Sequence, residues 1–384
     1  MSSMTPFRYS MARVRGRGAG LGNELIPWAR AFLAAQVTGA TCLPPAFGMN
    51  TRRYWRHFGT SRLDWLHHRA LQSLLPVVEF DEAAFDHHGG GDVVDALRRF
   101  ALAEQLATRA AYVLVTDGMW GGYRHIRAAR DFIRTTLYAS RFAPANLIRL
   151  NARIDPSRLT VGMHVRMGDF QAASDDLTAY RGKFNLSLPT DWYRNVARSI
   201  RATLGDRVQF LVVSDGPPAQ LAKIFEEVPF ITSSDIPDAD CSDLLALADA
   251  DLLVCSVSSF STMAAFLSSA PYLWFEPNLQ RHAEQAYSIW GHESAQQRES
   301  GETMQSLRAS AQWQTAPDGT TARGVPVSYL GAVAPALLER LYANKQACRP
   351  ERDLICYGVV PIRQPVERTA LASDVAGFSA SHPL

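Results

Sequence analysis

The chain has 384 residues, with 39 Lys and Arg against 37 Asp and Glu and a formal charge of +2. Its 47% hydrophobic and 20% charged composition is that of a folded chain and excludes wholesale disorder. The near balance of charge excludes an extended nucleic-acid surface, and at roughly 100–200 residues per domain the length predicts two domains or one large one.

In chain order, Phe7–Val14 reads as a strand, Gly16–Gly22 as a glycine-rich turn, Glu24–Val37 as an apolar helix and Ala40–Leu43 as a short strand closed by Pro44-Pro45. The stretch Asn50–Gly91, rich in aromatics, His and Gly, has no assignable pattern. Tyr112–Thr116 is a strand ending at Asp117-Gly118, and Arg124–Leu137 a helix. A boundary is expected near Asn151–Pro156. Beyond it, β-rich runs at Leu159–Val165, Val208–Ser214, Val228–Thr232, Leu252–Val257 and Pro271–Phe275 alternate with helical segments at Pro189–Leu204, Pro217–Glu227, Ser242–Ala248 and Phe260–Ser269. That rhythm predicts a parallel sheet with helices on both faces. The expected domains are 1–155, 156–300 and an extension over 301–384, with a helix near Val333–Tyr342 and a disordered end beyond about 365.

Met1–Ser10 lacks the apolar core of a signal peptide. The uncharged stretch Leu252–Phe275 contains many hydroxyls and Pro271, and reads as strand, turn, helix and strand rather than a membrane span. No spanning segment is expected; peripheral membrane association stays open. Cys42, Cys241, Cys255, Cys348 and Cys356 form no CxxC pair and read as thiols of a reducing, cytoplasmic compartment.

In a doubly wound sheet, ligands sit beyond the carboxyl ends of the strands. His164 and Arg166, in Val161-Gly162-Met163-His164-Val165-Arg166-Met167-Gly168-Asp169, share one face of a strand and end at such an edge. A guanidinium there binds phosphate oxygens in a fork; the alternative is a structural Arg166–Asp169 pair. Ser256, Ser258, Ser259 and Ser261 lie where a strand gives way to a helix, a junction that either binds an anion or is simply capped. Gly16–Gly22 resembles a dinucleotide fingerprint in letter but not in spacing. Asp249-Ala250-Asp251 and Asp238-Ala239-Asp240 match the DxD pattern of metal-dependent sugar transfer, although the first sits at the amino end of a strand. The adjacent pairs His67-His68 and His87-His88 lack helical metal-ligand spacing.

Together these segments resemble the GT-B fucosyltransferase superfamily, which includes bacterial α-1,2-, nodulation and core α-1,6-, and protein O-fucosyltransferases. Gly20-Leu21-Gly22-Asn23-Glu24 resembles its GxGNQ turn, with Glu24 in place of Gln. His164-Val165-Arg166 with Gly168-Asp169 resembles its HxRxGD element, with Met167 where many members carry a second arginine. Asp243, the strand to Cys255, and Ser258-Ser259 resemble the third element. The resemblance implies an α/β, GT-B fold of two Rossmann-like domains facing a cleft, and an inverting, metal-independent transfer from GDP-fucose to a hydroxyl of a glycan acceptor, with no cofactor. Arg166 would stabilise the leaving diphosphate; His164 and Asp243 would contact guanine; Ser258, Ser259, Gly20 and Gly22 would surround the donor. Asn23 and Glu24 would face the acceptor hydroxyl or the departing sugar oxygen, and Glu24, Asp117 and Asp169 are candidate bases. Trp55, Trp65 and Trp120 are candidates for stacking on sugar rings. Alternatives are transfer from another nucleotide sugar, a non-catalytic nucleotide- or glycan-binding protein on the same fold, and a dinucleotide oxidoreductase.

Overall fold

Two parallel sheets organise the chain. The computed structural model describes residues 7–13, 19–47, 51–90, 92–118, 120, 123–168, 174, 176–180, 186–278, 281–282, 285–286, 321–322, 324–347 and 353–355. Asp169, Cys348, Cys356 and the end beyond 365 lie outside these.

The first sheet comprises β1 (Phe7–Ala12), β2 (Thr41–Leu43), β3 (Val77–Phe80) and β4 (Ala111–Thr116), in the order β2-β1-β4-β3, all parallel. Helix α1 (Leu21–Thr38) crosses from β1 to β2 and ends at Gly39, whose φ of 68° is the left-handed stop that a glycine adopts without strain. The unassigned stretch 50–91 holds α2 (Trp55–Phe58), α3 (Arg62–Leu74), β3 and α4 (Glu82–His87). Next come α5 (Val93–Ala103), begun by the Asp92 carboxylate accepting from Val94 N and Asp95 N, and β4. The expected helix Arg124–Leu137 divides into a 3₁₀ turn over Arg124–Ala129 and α6 (Arg130–Tyr138), followed by α7 (Ala143–Asn151).

The second sheet contains β5 (Leu159–Val165), β6 (Val208–Ser214), β7 (Phe230–Thr232), β8 (Leu252–Val254), β9 (Tyr272–Phe275) and β10 (Gly324–Val327), in the order β10-β9-β8-β5-β6-β7, again all parallel. Every residue of β5 is buried, as expected of a central strand covered on both faces. Helices α8 (Thr190–Leu204), α9 (Pro218–Ile224), α10 (Asp240–Ala248) and α11 (Ser259–Leu267) make the crossovers. Within the expected extension, β10 pairs with β9, and α12 (Pro335–Gln346) packs on α8 and is tied through Glu339 to Arg207 in the turn after α8.

In sequence order β5, β6 and β7 run one way from the centre of the sheet, while β8 and β9 run the other. The switch lies between β5 and β8, while in the first sheet β1 and β4 form the central pair. Helices α1 and α11 start at the carboxyl edges of β1 and β8, and their first turns touch. The two carboxyl edges therefore face each other, which is the GT-B arrangement.

Both DxD motifs lie where the first unit grips the second. Asp249 takes Arg134 and the Tyr138 hydroxyl (2.6 Å), Asp238 takes Arg56, and Asp240 meets His57 at 3.3 Å. Asp251 accepts from Thr160 N and from Lys345. These four carboxylates hold protein groups together. No helix among the described residues is long and apolar enough to cross a membrane.

Candidate active site at the facing sheet edges

At the end of β5, His164 is buried beneath the first turn of α11. Its Nδ1 lies 2.7 Å from Ser261 Oγ, 2.9 Å from Ser256 Oγ and 3.3 Å from Ser258 Oγ. Burial, and secondarily the nearby Arg166 charge, push its pKa down to about 3 against the opposing pull of Asp215, so the ring is a neutral imidazole. The surplus of hydroxyls noted in the sequence thus has a structural destination. Ser258 caps α11 by accepting from Ser261 N, and Ser256, Ser258 and Ser261 together surround one ring nitrogen. The Ser258 hydroxyl is turned inward, so an anion at this junction would meet backbone N–H groups of α11.

Arg166 follows β5 with its side chain only 15% exposed, and its Nη1 contacts Asp215 Oδ2 at 2.7 Å. The same carboxylate accepts from Met167 N (2.8 Å) and Gly168 N (3.0 Å). Asp215 therefore clamps the turn that carries Arg166, while Asp169 lies outside the described residues. A side chain at Gly168 would collide with the Asp215 carboxylate, and one at Gly216 would meet Met167 Sδ at 2.5 Å. Gly168 makes room for Asp215, and Met167 packs against Gly216. Ser214 completes the staple, donating to Val165 O at 2.6 Å and accepting from Gly216 N at 3.0 Å. Ser-Asp-Gly directly after the second strand of a switch point was the available signal for Asp215.

Gly20 and Gly22 lie against the start of α11. A Cβ on Gly22 would stand 2.6 Å from the Ser259 carbonyl carbon and 3.1 Å from Phe260 N, whereas one on Gly20 would rest 3.9 Å from Ser259 Oγ. Gly22 is thus required by helix-to-helix approach. Ser259 O accepts from the Tyr123 hydroxyl at 2.9 Å, which pins the same turn from the other side. Within α1, Asn23 is partly buried with no partner for its Oδ1, and Glu24 is buried in the first turn. Pro27 has no N–H to offer the Asn23 carbonyl four residues back, so the helix ladder leaves that carbonyl without its usual donor.

The structure joins Gly20, Gly22, Ser258, Ser259 and His164 around the start of α11, with Arg166 next along β5. Asp243 keeps different company. It lies on the first turn of α10, hydrogen-bonded to Ser233 and near Asp240, with its Oδ1 buried and unpartnered. Burial raises its pKa to about 7; the Ser233 bond opposes this and Asp240 adds to it.

Facing this edge, the carboxyl ends of β1, β4 and β3 open into a depression of about 260 Å³ lined by Arg13, Glu79, Asp81, Glu82, Asp117 and Trp120. Arg13 pairs with Glu79 and, at 3.4 Å, with Asp117. Beneath it is a residue that sequence reasoning missed. Arg30 is fully buried in α1, donating to Asp117 O (2.8 Å), Gly118 O (3.3 Å) and Trp120 O (2.9 Å), with its guanidinium 3.7 Å over the Trp120 ring. Burial pulls its pKa down to about 9 against the Asp117 and Glu82 charges. Trp120 is therefore part of the floor, while Trp55 and Trp65 are exposed elsewhere. Among the described residues no group of three or more His, Cys, Asp or Glu could hold a metal ion.

No family model matches the sequence, and no curated relative does. Solved structures with a similar course of the chain include POFUT1 in complex with GDP-fucose, at 12% identity and a TM-score of 0.40 over 70% of this chain and 96% of that one. The fucosyltransferase NodZ from Bradyrhizobium is similar at 15% identity and a TM-score of 0.39, over 69% of this chain and 95% of that one. The E. coli ADP-heptose lps heptosyltransferase II is similar at 11% identity and a TM-score of 0.37, over 88% and 100%.

Proposed function

We propose that the chain is an inverting glycosyltransferase of GT-B architecture, moving fucose from GDP-fucose to a hydroxyl of a glycan acceptor. The observation that carries this reading is Arg166 at the second sheet's switch point, fixed by Asp215 and two residues beyond His164, which lies under the first turn of α11. A departing diphosphate gains negative charge as the bond to the anomeric carbon breaks. A guanidinium already held in place stabilises that charge without reorganising. The α11 and α1 amino termini add partial positive charge. Neutral His164 backs this edge, and Asp243, with its unpartnered buried oxygen, would serve the donor base. Asn23 and Glu24 start the helix bordering both edges and would face the acceptor hydroxyl, whose other groups would enter the carboxylate-lined depression of the first sheet. Glu24 and Asp117 are the described carboxylates available to take the acceptor proton.

Titration calorimetry with GDP, UDP, CDP and NAD, with and without EDTA, tests the donor. GDP should bind best in either medium, and preference for UDP would overturn the assignment. Arg166→Ala should weaken GDP roughly 10- to 150-fold, the equivalent of one charged hydrogen-bonding group, and slow transfer by about 10²–10³. Arg166→Lys, which keeps a partner for Asp215, should fold normally yet recover only part of both. Wild-type GDP affinity in Arg166→Ala would refute the reading.

A further inference from the structure

Helix α3 carries a surface that nothing in the transfer reaction uses. One face packs on the first sheet: His68 is buried, Leu71 and Leu75 join Met11, Val113 and Val115, and Gln72 Nε2 meets Met11 Sδ at 3.2 Å. The opposite face should be polar in a helix that simply covers a sheet. Instead Leu63, Leu66 and Leu74 are 74%, 54% and 79% exposed. At 3.6 residues per turn these three and Ala70 fall within a sector of roughly 80°, forming an apolar ridge about 16 Å long. Arg62 and Arg69 flank it on the side that also holds exposed Trp65, whose ring lies 5.7 Å from the Arg69 guanidinium. The charge is as lopsided as the hydrophobicity. Residues 51–76 carry Arg52, Arg53, Arg56, Arg62 and Arg69 against Asp64 alone, so this stretch at +4 leaves the rest of the chain, +2 in total, at −2. Asp64 is itself taken up by the Ser61 capping box.

We propose that α3 docks this protein on a bilayer surface containing anionic phospholipid, with Leu63, Leu66 and Leu74 entering the acyl boundary, Trp65 at the interface, and Arg62 and Arg69 on lipid phosphates. A shallow apolar ridge beside a basic and aromatic flank is the pattern of an interfacial helix. A second copy of the chain fits less well, because pairing this face about a two-fold axis brings the same arginines toward one another. The proposal is independent of the donor and of the transfer chemistry.

Co-sedimentation of the full chain with vesicles tests it, using phosphatidylcholine alone and phosphatidylcholine with about one third phosphatidylglycerol. Binding is expected to the second and not the first, and should fade as salt rises. At about fivefold per arginine near a charged surface, Arg62→Gln with Arg69→Gln should weaken it roughly 25-fold. Leu63→Ser, Leu66→Ser and Leu74→Ser combined should abolish it while circular dichroism and transfer to a soluble acceptor stay as in the wild type, these side chains being exposed. Absence of binding to the anionic vesicles, or binding untouched by the serine changes, overturns the proposal. So does a monomer–dimer equilibrium in analytical ultracentrifugation that the serine changes abolish without any vesicle binding.

Discussion

Replacing Gly22 with alanine adds one methyl group at the contact between α1 and α11. The new carbon would sit 2.6 Å from the Ser259 carbonyl carbon and 3.1 Å from Phe260 N. Carbon atoms rest comfortably at about 3.5–4.0 Å, so relief requires the start of α11 to move by roughly 1 Å. The obstacle is backbone and has no rotamer to change. That backbone is held by the Tyr123 bond to Ser259 O and by the Ser258 cap, so the movement strains the hydroxyl cluster around His164 as well. Overpacking of this kind costs about 1–3 kcal/mol, which in a chain of this size lowers the melting temperature by about 1–4 °C. The control is two residues away. Gly20→Ala places its carbon 3.9 Å from Ser259 Oγ, an ordinary contact at a φ of −67° that alanine accepts, and should stay within about 1 kcal/mol of wild type. Differential scanning calorimetry of the three proteins at one pH reads the difference. Gly22→Ala melting together with Gly20→Ala would refute the close approach of the two helices, and with it the facing of the sheet edges.

Two further tests concern buried nitrogen bases. An unfolded His164 takes a proton below about 6.5 while the folded ring resists until about 3, so its contribution is complete above pH 6.5 and is lost as the pH falls toward 3. Between pH 6.5 and 4.5 that is about 2 kcal/mol; urea midpoints should show this slope flattening in His164→Gln, and equal slopes would contradict the buried neutral ring. Arg30→Met removes the donor shared by three carbonyls and should destabilise by about 3–5 kcal/mol, while a Met variant that still folds should raise the KM for acceptor and leave GDP affinity unchanged; a selective loss of GDP binding would show that Arg30 serves the other edge.

The strands of the second sheet were legible because burial on both faces demands continuous apolar runs, and β5, β6 and β9 have them. Strand β3 escaped because only Val78 and Phe80 point inward from four residues, too short an alternation to read. Strand β10 lies far along the chain from β9 and contains Pro326, which a sheet tolerates at an edge. At the site, Arg166 and the hydroxyl-rich junction stood out from residue type and place alone. Their partners did not. Asp215 reaches Arg166 only because the β5–β6 register sets Val165 beside Ser214, and the serines converge on His164 only once α11 folds back over β5. Arg30 was invisible for a similar reason: nothing local marks an arginine whose acceptors are carbonyls of a distant loop.

The electrostatics of the facing edges explain why these details belong together. Arg166 is matched by Asp215 and His164 is held neutral, so side chains alone supply little net positive charge where the diphosphate would lie. What remains is the backbone. Gly22 brings the amino end of α1 onto that of α11, and each such end carries about half a positive charge. Two like ends in contact repel unless negative charge lies beside them. No side chain caps α1, and its first turn offers only the buried Glu24. An incoming diphosphate would therefore relieve a repulsion built into the fold at the same moment as it meets Arg166. By letting the helices touch, Gly22 creates a positive field that, under the proposed function, a departing diphosphate would meet.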